Sequence, residues 1–253
     1  MFPYAEGQLF GILNVVCFSP EDLNIINSGP DVRRRFIDME LCQLSSLYVH
    51  SIVNYDKALE QKNKLLKELD VHRDWKDTLD VWDMQLERFG REVIDQRKAF
   101  IEELNRILKR VHSELTDGRE ELNIVYEANE VRNIRSDELY RRMTLSGPHR
   151  DDIGIYDKDM DLRKYGSQGQ KRTAALSLKL AEIELVEKKI GDHPILLLDD
   201  VLSELDSSRQ KQLIGAVSRI QTLITCTGTE GYLTAGLKVD KIFHVKSGTV
   251  GSG

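Results

Sequence analysis

Two adjacent carboxylates, Asp199 and Asp200, close the aliphatic run Ile195-Leu196-Leu197-Leu198. Four apolar residues ending in acid predict a buried strand whose C-terminal edge offers carboxylates to a ligand, the edge at which open α/β sheets bind their substrates. An acid there commonly holds the Mg²⁺ of a nucleoside triphosphate, and a second beside it can orient or deprotonate an attacking water. Ser203-Glu204-Leu205-Asp206 follows at once. No G-x-x-x-x-G-K-[ST] loop to cradle the phosphates occurs in the 253 residues. The chain displays half of a nucleotide site.

A second polar cluster, Tyr165-Gly166-Ser167-Gln168-Gly169-Gln170-Lys171-Arg172, opens a long Ala- and Leu-rich stretch. Small and polar residues before such a stretch predict a helix with Ser167 as its N-cap and free backbone N–H groups pointing outward, an arrangement that attracts anions, phosphate among them. Taken alone, an ordinary capped helix accounts for the same residues, with Lys171 and Arg172 as surface charges.

Bulk properties set outer limits. With 40% hydrophobic and 31% charged residues the chain can bury a substantial core as one large or two modest domains. A net charge of -6 excludes a protein that is basic all over, but not a local basic face. Cys17, Cys42 and Cys226 are odd in number and lack metal-ligand spacing, which argues for a reduced, cytoplasmic setting without structural zinc. No apolar run approaches the roughly 20 residues that span a bilayer.

The elements that must position these residues separate by composition. Residues 1–30 hold one strand, from Ile12 to Phe18, and a turn at Ser28-Gly29-Pro30. Residues 31–116 contain no proline and one glycine, Gly90. Their apolar residues recur at steps of three and four in three stripes: Leu44 to Leu69, Trp75 to Val93, and Phe100 to Leu115. Three long amphipathic helices are expected, reversing between Leu69 and Trp75, with Trp75 and Trp82 in the core and Lys62, Lys64 and Lys67 on a solvated face. Residues 117–253 alternate strand and helix. Strands are expected at Asn123–Tyr126, Ile153–Tyr156, Pro194–Leu198, Thr222–Thr225 and Lys241–Val245, and helices at Asp137–Met143 (capped by Ser136), Ser167–Lys188 and Ser207–Arg219. This order implies a mostly parallel sheet covered by helices.

The order of the parts resembles the C-terminal half of an ABC-type ATPase head, with Ser167 to Gln170 as signature motif, Ile195 to Asp200 as Walker B, and Ser203 to Asp206 as D-loop. Within that superfamily Gly147-Pro148-His149-Arg150-Asp151-Asp152 is similar to a segment characteristic of the RecF family, as are Pro20-Glu21-Asp22-Leu23 and Gly29-Pro30 with Arg33-Arg34-Arg35-Phe36-Ile37-Asp38. Gln168 within the signature, Asp200 in place of glutamate, and a short helical insertion fit RecF better than SMC proteins. The likeness runs from about Gly11 to about Val245.

The resemblance implies an α/β ABC-type head, incomplete at its N-terminus, with an inserted long-helix lid or arm. It divides the chain into 1–30 (remnant of the N-terminal lobe), 31–116 (helical arm) and 117–253 (C-terminal lobe). The cofactors implied are ATP and Mg²⁺. Asp199 would bind the metal through water, Asp200 would stand at the hydrolytic base, and Ser167, Gln168, Gly169, Gln170 and Asp206 would meet a nucleotide held by another subunit. The implied role is DNA repair and recombination by an ATP-dependent homodimer that binds double-stranded and gapped DNA and helps load recombinase with RecO and RecR. Arg33, Arg34 and Arg35 are candidates for DNA phosphate, against ion pairs with neighbouring acids. His149 reads more simply as part of a structural hydrogen-bond network, and Arg150 and Asp151 as partners of each other or as organisers of the groups around the site. The family's P-loop segment is absent, so the chain looks like a fragment unable to bind ATP normally. Cys226-Thr227 stands where ABC heads place a switch histidine. An assembly or DNA-binding module that donates its signature face to a complete partner is the alternative. A metal-dependent nuclease built on Asp199, Asp200 and Asp206 would leave the Ser-x-Gly-Gln helix unexplained.

Overall fold

The computed structural model describes residues 13–70, 74–129, 134–202, 205–227 and 239–252. The chain divides into two units, one of Met1–Asn14 with Glu21–Asp192 and one of Val15–Pro20 with His193–Gly253.

In the first unit a short helix α1 (Leu23–Asn27) leads into α2 (Pro30–Leu44), which begins on proline, a residue whose missing N–H costs nothing at a helix start. Ser45 ends α2 and caps α3 (Ser46–Lys67), accepting the Tyr48 N–H, so Leu44 belongs to the helix before the stripe it was expected to open. The second and third expected helices are one: α4 runs unbroken for 41 residues from Trp75 to Leu115, about 60 Å at 1.5 Å per residue. Its buried Leu79, Leu86, Val93 and Phe100 fall seven apart, the spacing of a coiled-coil seam. Tyr55 and Ala58 of α3 cluster with Leu86, and Leu65 and Leu66 with Leu79, so the two helices run antiparallel. Gly90 makes the close approach possible, since a Cβ there would meet the Tyr55 ring at 3.2 Å and Pro148 at 3.4 Å. Trp75 and Trp82 pack on these clusters as expected.

Lys62 corrects the expectation of a solvated face. It is 4% exposed and bonds Glu138 at 2.6 Å and Asp83 at 2.8 Å, tying α3 to α4 and to α5 (Ile134–Arg141). Helix α5 starts before Ser136, which therefore lies inside it and is not its cap. Strands β2 (Leu122–Glu127), β3 (Asp152–Asp157) and β4 (Met160–Asp161) form a separate antiparallel sheet. A short α6 (Leu162–Tyr165) then leads to α7 (Gln168–Ile190), which ends on Gly191 in the left-handed conformation, φ 70°. Leu176, Leu178, Ala181 and Leu185 of α7 are buried, and several of them share one core with Ile37, Tyr48, Phe100, Leu104 and Ile155.

The second unit holds the parallel sheet, in the order β1 (Val15–Phe18), β5 (Ile195–Asp199), β6 (Thr222–Thr225). Val16, Phe18, Leu196 and Leu198 are buried, as are Leu213 and Val217 of α8 (Ser207–Val217). Across the other face, Cys17, Leu197 and Leu223 stand in register, with Cys17 and Leu223 exposed. A hairpin of β7 (Phe243–Lys246) and β8 (Thr249–Ser252) completes the described residues.

Candidate nucleotide site

Ser167 caps α7 as its sequence predicts. Its hydroxyl accepts the Gln170 N–H at 3.2 Å while the Gln170 side chain accepts the Ser167 N–H at 3.0 Å, a reciprocal capping box. The box consumes Ser167 and Gln170 and leaves the N–H groups of Gln168 and Gly169, the first two of the helix, outside it. Ser167, Gln168 and Gly169 are exposed. Gly166 fixes this presentation: a Cβ there would sit 2.7 Å from the Leu162 carbonyl, so only glycine allows α6 to turn so tightly into α7. Lys171 is drawn back onto the Arg163 carbonyl at 2.9 Å.

Gly169 differs from Gly166. A methyl group there would meet nothing nearer than the Ser167 hydroxyl at 3.9 Å. Helix propensity then predicts that Gly169→Ala stabilises the isolated chain by about 0.5–1 kcal/mol. Urea melts check this, and a loss of stability would reveal an internal constraint at that position.

Asp199 ends β5, the middle strand of the parallel sheet, and is exposed at its carboxyl edge. The Thr225 hydroxyl donates to its Oδ1 from the end of β6, and the Asp200 N–H bonds the Thr225 carbonyl at 3.2 Å. Thr225 is a positioning residue that the sequence reading passed over; its place opposite Asp199 follows from strand register alone. Asp200 turns the chain at φ +51°, an uncommon conformation that Asp tolerates better than most residues and that marks many functional turns. Asp206 caps α8, accepting the N–H groups of Ser208 and Arg209, both at 3.0 Å, and pairing with the Arg209 guanidinium. The Arg209 N–H and charge hold its carboxyl below the usual carboxylate range. Ser203 and Glu204 lie outside the described residues. Cys226 follows β6 and is exposed.

The other candidates separate by burial. Arg33 is 2% exposed, forks onto Asp152 at 2.7 and 3.0 Å, and donates to the Ile25 and Ser28 carbonyls. It is a buried strut, and of the two readings weighed for it the ion pair with a neighbouring acid is the one its contacts match. Arg34 is half-buried and Arg35 exposed. His149 belongs to the structural network expected of it, with Nδ1 2.6 Å from the Tyr55 hydroxyl. Arg150 and Asp151 are not partners: buried Asp151 accepts the Tyr126 hydroxyl and the Asn129 N–H, while Arg150 reaches the Thr144 carbonyl.

No group of three or more His, Cys, Asp and Glu side chains among the described residues forms a metal cage. Exposed Asp199 with Asp200 beside it still fits Mg²⁺, a hard cation that takes one or two carboxylates and completes its shell with water and phosphate oxygens. The open first turn of α7 fits an anionic phosphate. Among the described residues no helix is long and apolar enough to cross a membrane.

A parallel strand tipped with two acids, followed by a capped helix, and a small-residue helix start with outward N–H groups together define an ABC-type ATPase head. The RecF DNA replication and repair protein of Lachnoclostridium phytofermentans is 53% identical over 256 residues, covering 98% of this chain and 71% of that protein. Its counterpart in Agathobacter rectalis is 52% identical over 252 residues, covering 96% and 70%. Among solved structures, the recombination mediator protein RecF of the RecFOR pathway, with ATP or ATPrS, matches with a TM-score of 0.86 and 33% identity over 97% of this chain and 69% of that one. No protein-family model matches the chain. The chain belongs to the RecF family of DNA replication and repair proteins.

Proposed function

We propose that this chain works as one half of a composite nucleotide site in an ATP-dependent head-to-head dimer. Asp199 faces the Mg²⁺ through water, held in place by the Thr225 hydroxyl, and Asp200 stands where a hydrolytic base would act. The first turn of α7, with Ser167, Gln168, Gly169 and Gln170, meets the terminal phosphate of a nucleotide cradled by a second subunit, and Asp206 fixes the adjoining turn. Bound MgATP supplies the phosphoryl group and the metal charge. Phosphate contacts that exist only when two heads meet shift the population towards the closed pair. The pair clamps double-stranded DNA near single-strand gaps and helps load recombinase with RecO and RecR, in the manner of the family. The observation that carries this reading is the acid-tipped middle strand of a parallel sheet.

The exposure of Ser167, Gln168 and Gly169 also supports a narrower role, in which the chain donates that face to a P-loop-bearing partner without turning over ATP itself. One experiment tests both. ATP hydrolysis is measured for the chain alone, for a P-loop-bearing RecF, and for the mixture. The expected result is no turnover by the 253 residues alone, and a change in the partner's rate that disappears with Ser167→Ala or Gly169→Val. Turnover by the chain alone that survives Asp199→Asn, or a partner rate indifferent to both signature variants, refutes the assignment.

A further inference from the structure

The segment from Gly147 to Asp152 is tied into the surrounding structure at all but one residue. A Cβ on Gly147, whose φ is +124°, would lie 2.3 Å from the Tyr55 hydroxyl, so the chain passes there only as glycine. The Pro148 carbonyl accepts Arg97 at 2.7 Å and His149 meets Tyr55. Asp151 takes the Asn129 N–H at 2.8 Å, and Asp152 binds Arg33 and Arg163. Arg150 is the exception. It is exposed, and among the described residues its guanidinium reaches the Thr144 carbonyl at 3.3 Å and the Met143 sulfur at 4.0 Å.

Arg34 of α2 donates to the carbonyl of the next residue, Asp151, at 2.7 Å, and the charges of Arg34 and Arg150 both bear on His149. Among the described residues no carboxylate lies within ion-pair distance of either guanidinium. The acids whose charge Arg34 feels most are Asp152, then Asp31 and Asp38. Asp152 is held by Arg33 and Arg163 and Asp38 by Arg97, while Asp31, exposed in the first turn of α2, acts on Arg34 only from beyond ion-pair distance. Burial first, and then the Arg97 charge, lower the pKa of Arg34 against the pull of Asp152, Asp31 and Asp38. Among the described residues, most of the five N–H donors on each fork find no protein acceptor. A platform that spends Asp151, Asp152 and His149 on internal bonds and presents two forks without a carboxylate in ion-pair distance among the described residues is preorganised for a tetrahedral oxyanion. Guanidinium forks match phosphate bidentately, as ammonium groups do not.

We propose that Arg34 and Arg150 form a phosphate-binding pair that grips the sugar-phosphate backbone of DNA. The assignment rests on the DNA-binding part of the proposed function and gives that binding an address. With no base edge read, recognition is independent of sequence and falls with salt as counterions are released.

The test titrates a labelled blunt DNA duplex into the full chain by fluorescence anisotropy over a series of salt concentrations. Arg150→Ala and Arg34→Gln are each expected to weaken binding roughly tenfold, the equivalent of one charge-assisted contact. Each should also lower the log–log salt slope by about 0.9. Arg150→Lys should recover part of the affinity, and Lys109→Ala, an exposed charge on α4, should leave it unchanged. Because Arg150 is exposed, its variants melt like the wild type and keep the test open should Arg34→Gln disturb folding. Wild-type binding that both substitutions leave intact overturns the pair while the DNA reading stands. Absence of salt-dependent binding by the wild type overturns the DNA reading itself. Displacement of the duplex by poly-glutamate at equal charge would assign the pair to a carboxylate partner and overturn the phosphate claim.

Discussion

Asp38→Ala is expected to cost 3–5 kcal/mol of stability, about the cost of leaving a buried charge alone. Arg97 is 2% exposed at the middle of α4. It forks onto both Asp38 oxygens at 2.9 Å, reaches the Tyr48 hydroxyl at 3.0 Å and donates to the Pro148 carbonyl at 2.7 Å. Burial works against its charge, but Tyr48 and Asp38 more than offset that and raise its pKa. Without Asp38 the guanidinium keeps its charge and loses its counter-ion in a place that water does not reach. At 2–4 °C per kcal/mol for a protein of this size, the melting temperature should fall by roughly 10 °C. Arg91→Ala, which removes an exposed pair with Glu87, should change stability by less than about 0.5 kcal/mol. Arg97 joins α2, α3, α4 and the Gly147–Asp152 segment, so amide exchange from 147 to 152 should quicken together in Asp38→Ala. A urea midpoint within error of the wild type would show that the node contributes nothing net.

The same node shows what the sequence made legible and what it did not. Short-range signals were sufficient where partners lie within a few residues: Ser167 as the cap of α7, the acid after four aliphatics, and the apolar stripes of α3 and α4. The buried cations were not legible, because their partners are distant along the chain. Arg33 finds Asp152 across 119 residues, Lys62 finds Glu138 across 76, and Arg97 finds Asp38 across 59. Read locally, each is one more surface charge. Strand direction is similarly hidden, since nothing within β2 or β3 encodes that they pair antiparallel apart from the sheet that carries Asp199. The join between the second and third apolar stripes was a different failure. Val93 to Phe100 is one more step of seven, so the repeat itself called for a single helix where two were expected.

Acid should loosen the chain through His149 before its carboxylates titrate. Burial first, then the charges of Arg150 and Arg34, push its pKa down from 6.5 to about 4, against the pull of the Thr144 carbonyl and Asp151. The neutral ring accepts the Tyr55 hydroxyl at Nδ1 and turns Nε2 towards the Thr144 carbonyl. Tyr55, whose pKa burial raises, stays a donor throughout. The folded pKa lies below the unfolded one, so between pH 6.5 and about 4 the unfolded chain binds more protons. His149 therefore contributes stability in full above 6.5, and that contribution is lost as pH falls, at most roughly 3 kcal/mol by pH 4. Asp152 and Asp161, with folded pKa values below 3.8, add their losses only at lower pH. Glu40 and Glu182 act in the opposite direction: burial raises both, so their contribution favours acid and fades as pH rises. The His149 share is isolated by difference. Urea unfolding of the wild type and of His149→Gln, followed from pH 7.5 to 4, should give curves that converge as pH falls, because the glutamine has no proton to gain. Curves that stay parallel across that window would mean the ring takes up its proton as readily in the folded chain as in the unfolded one, and the Tyr55–His149 bond would then not hold it neutral.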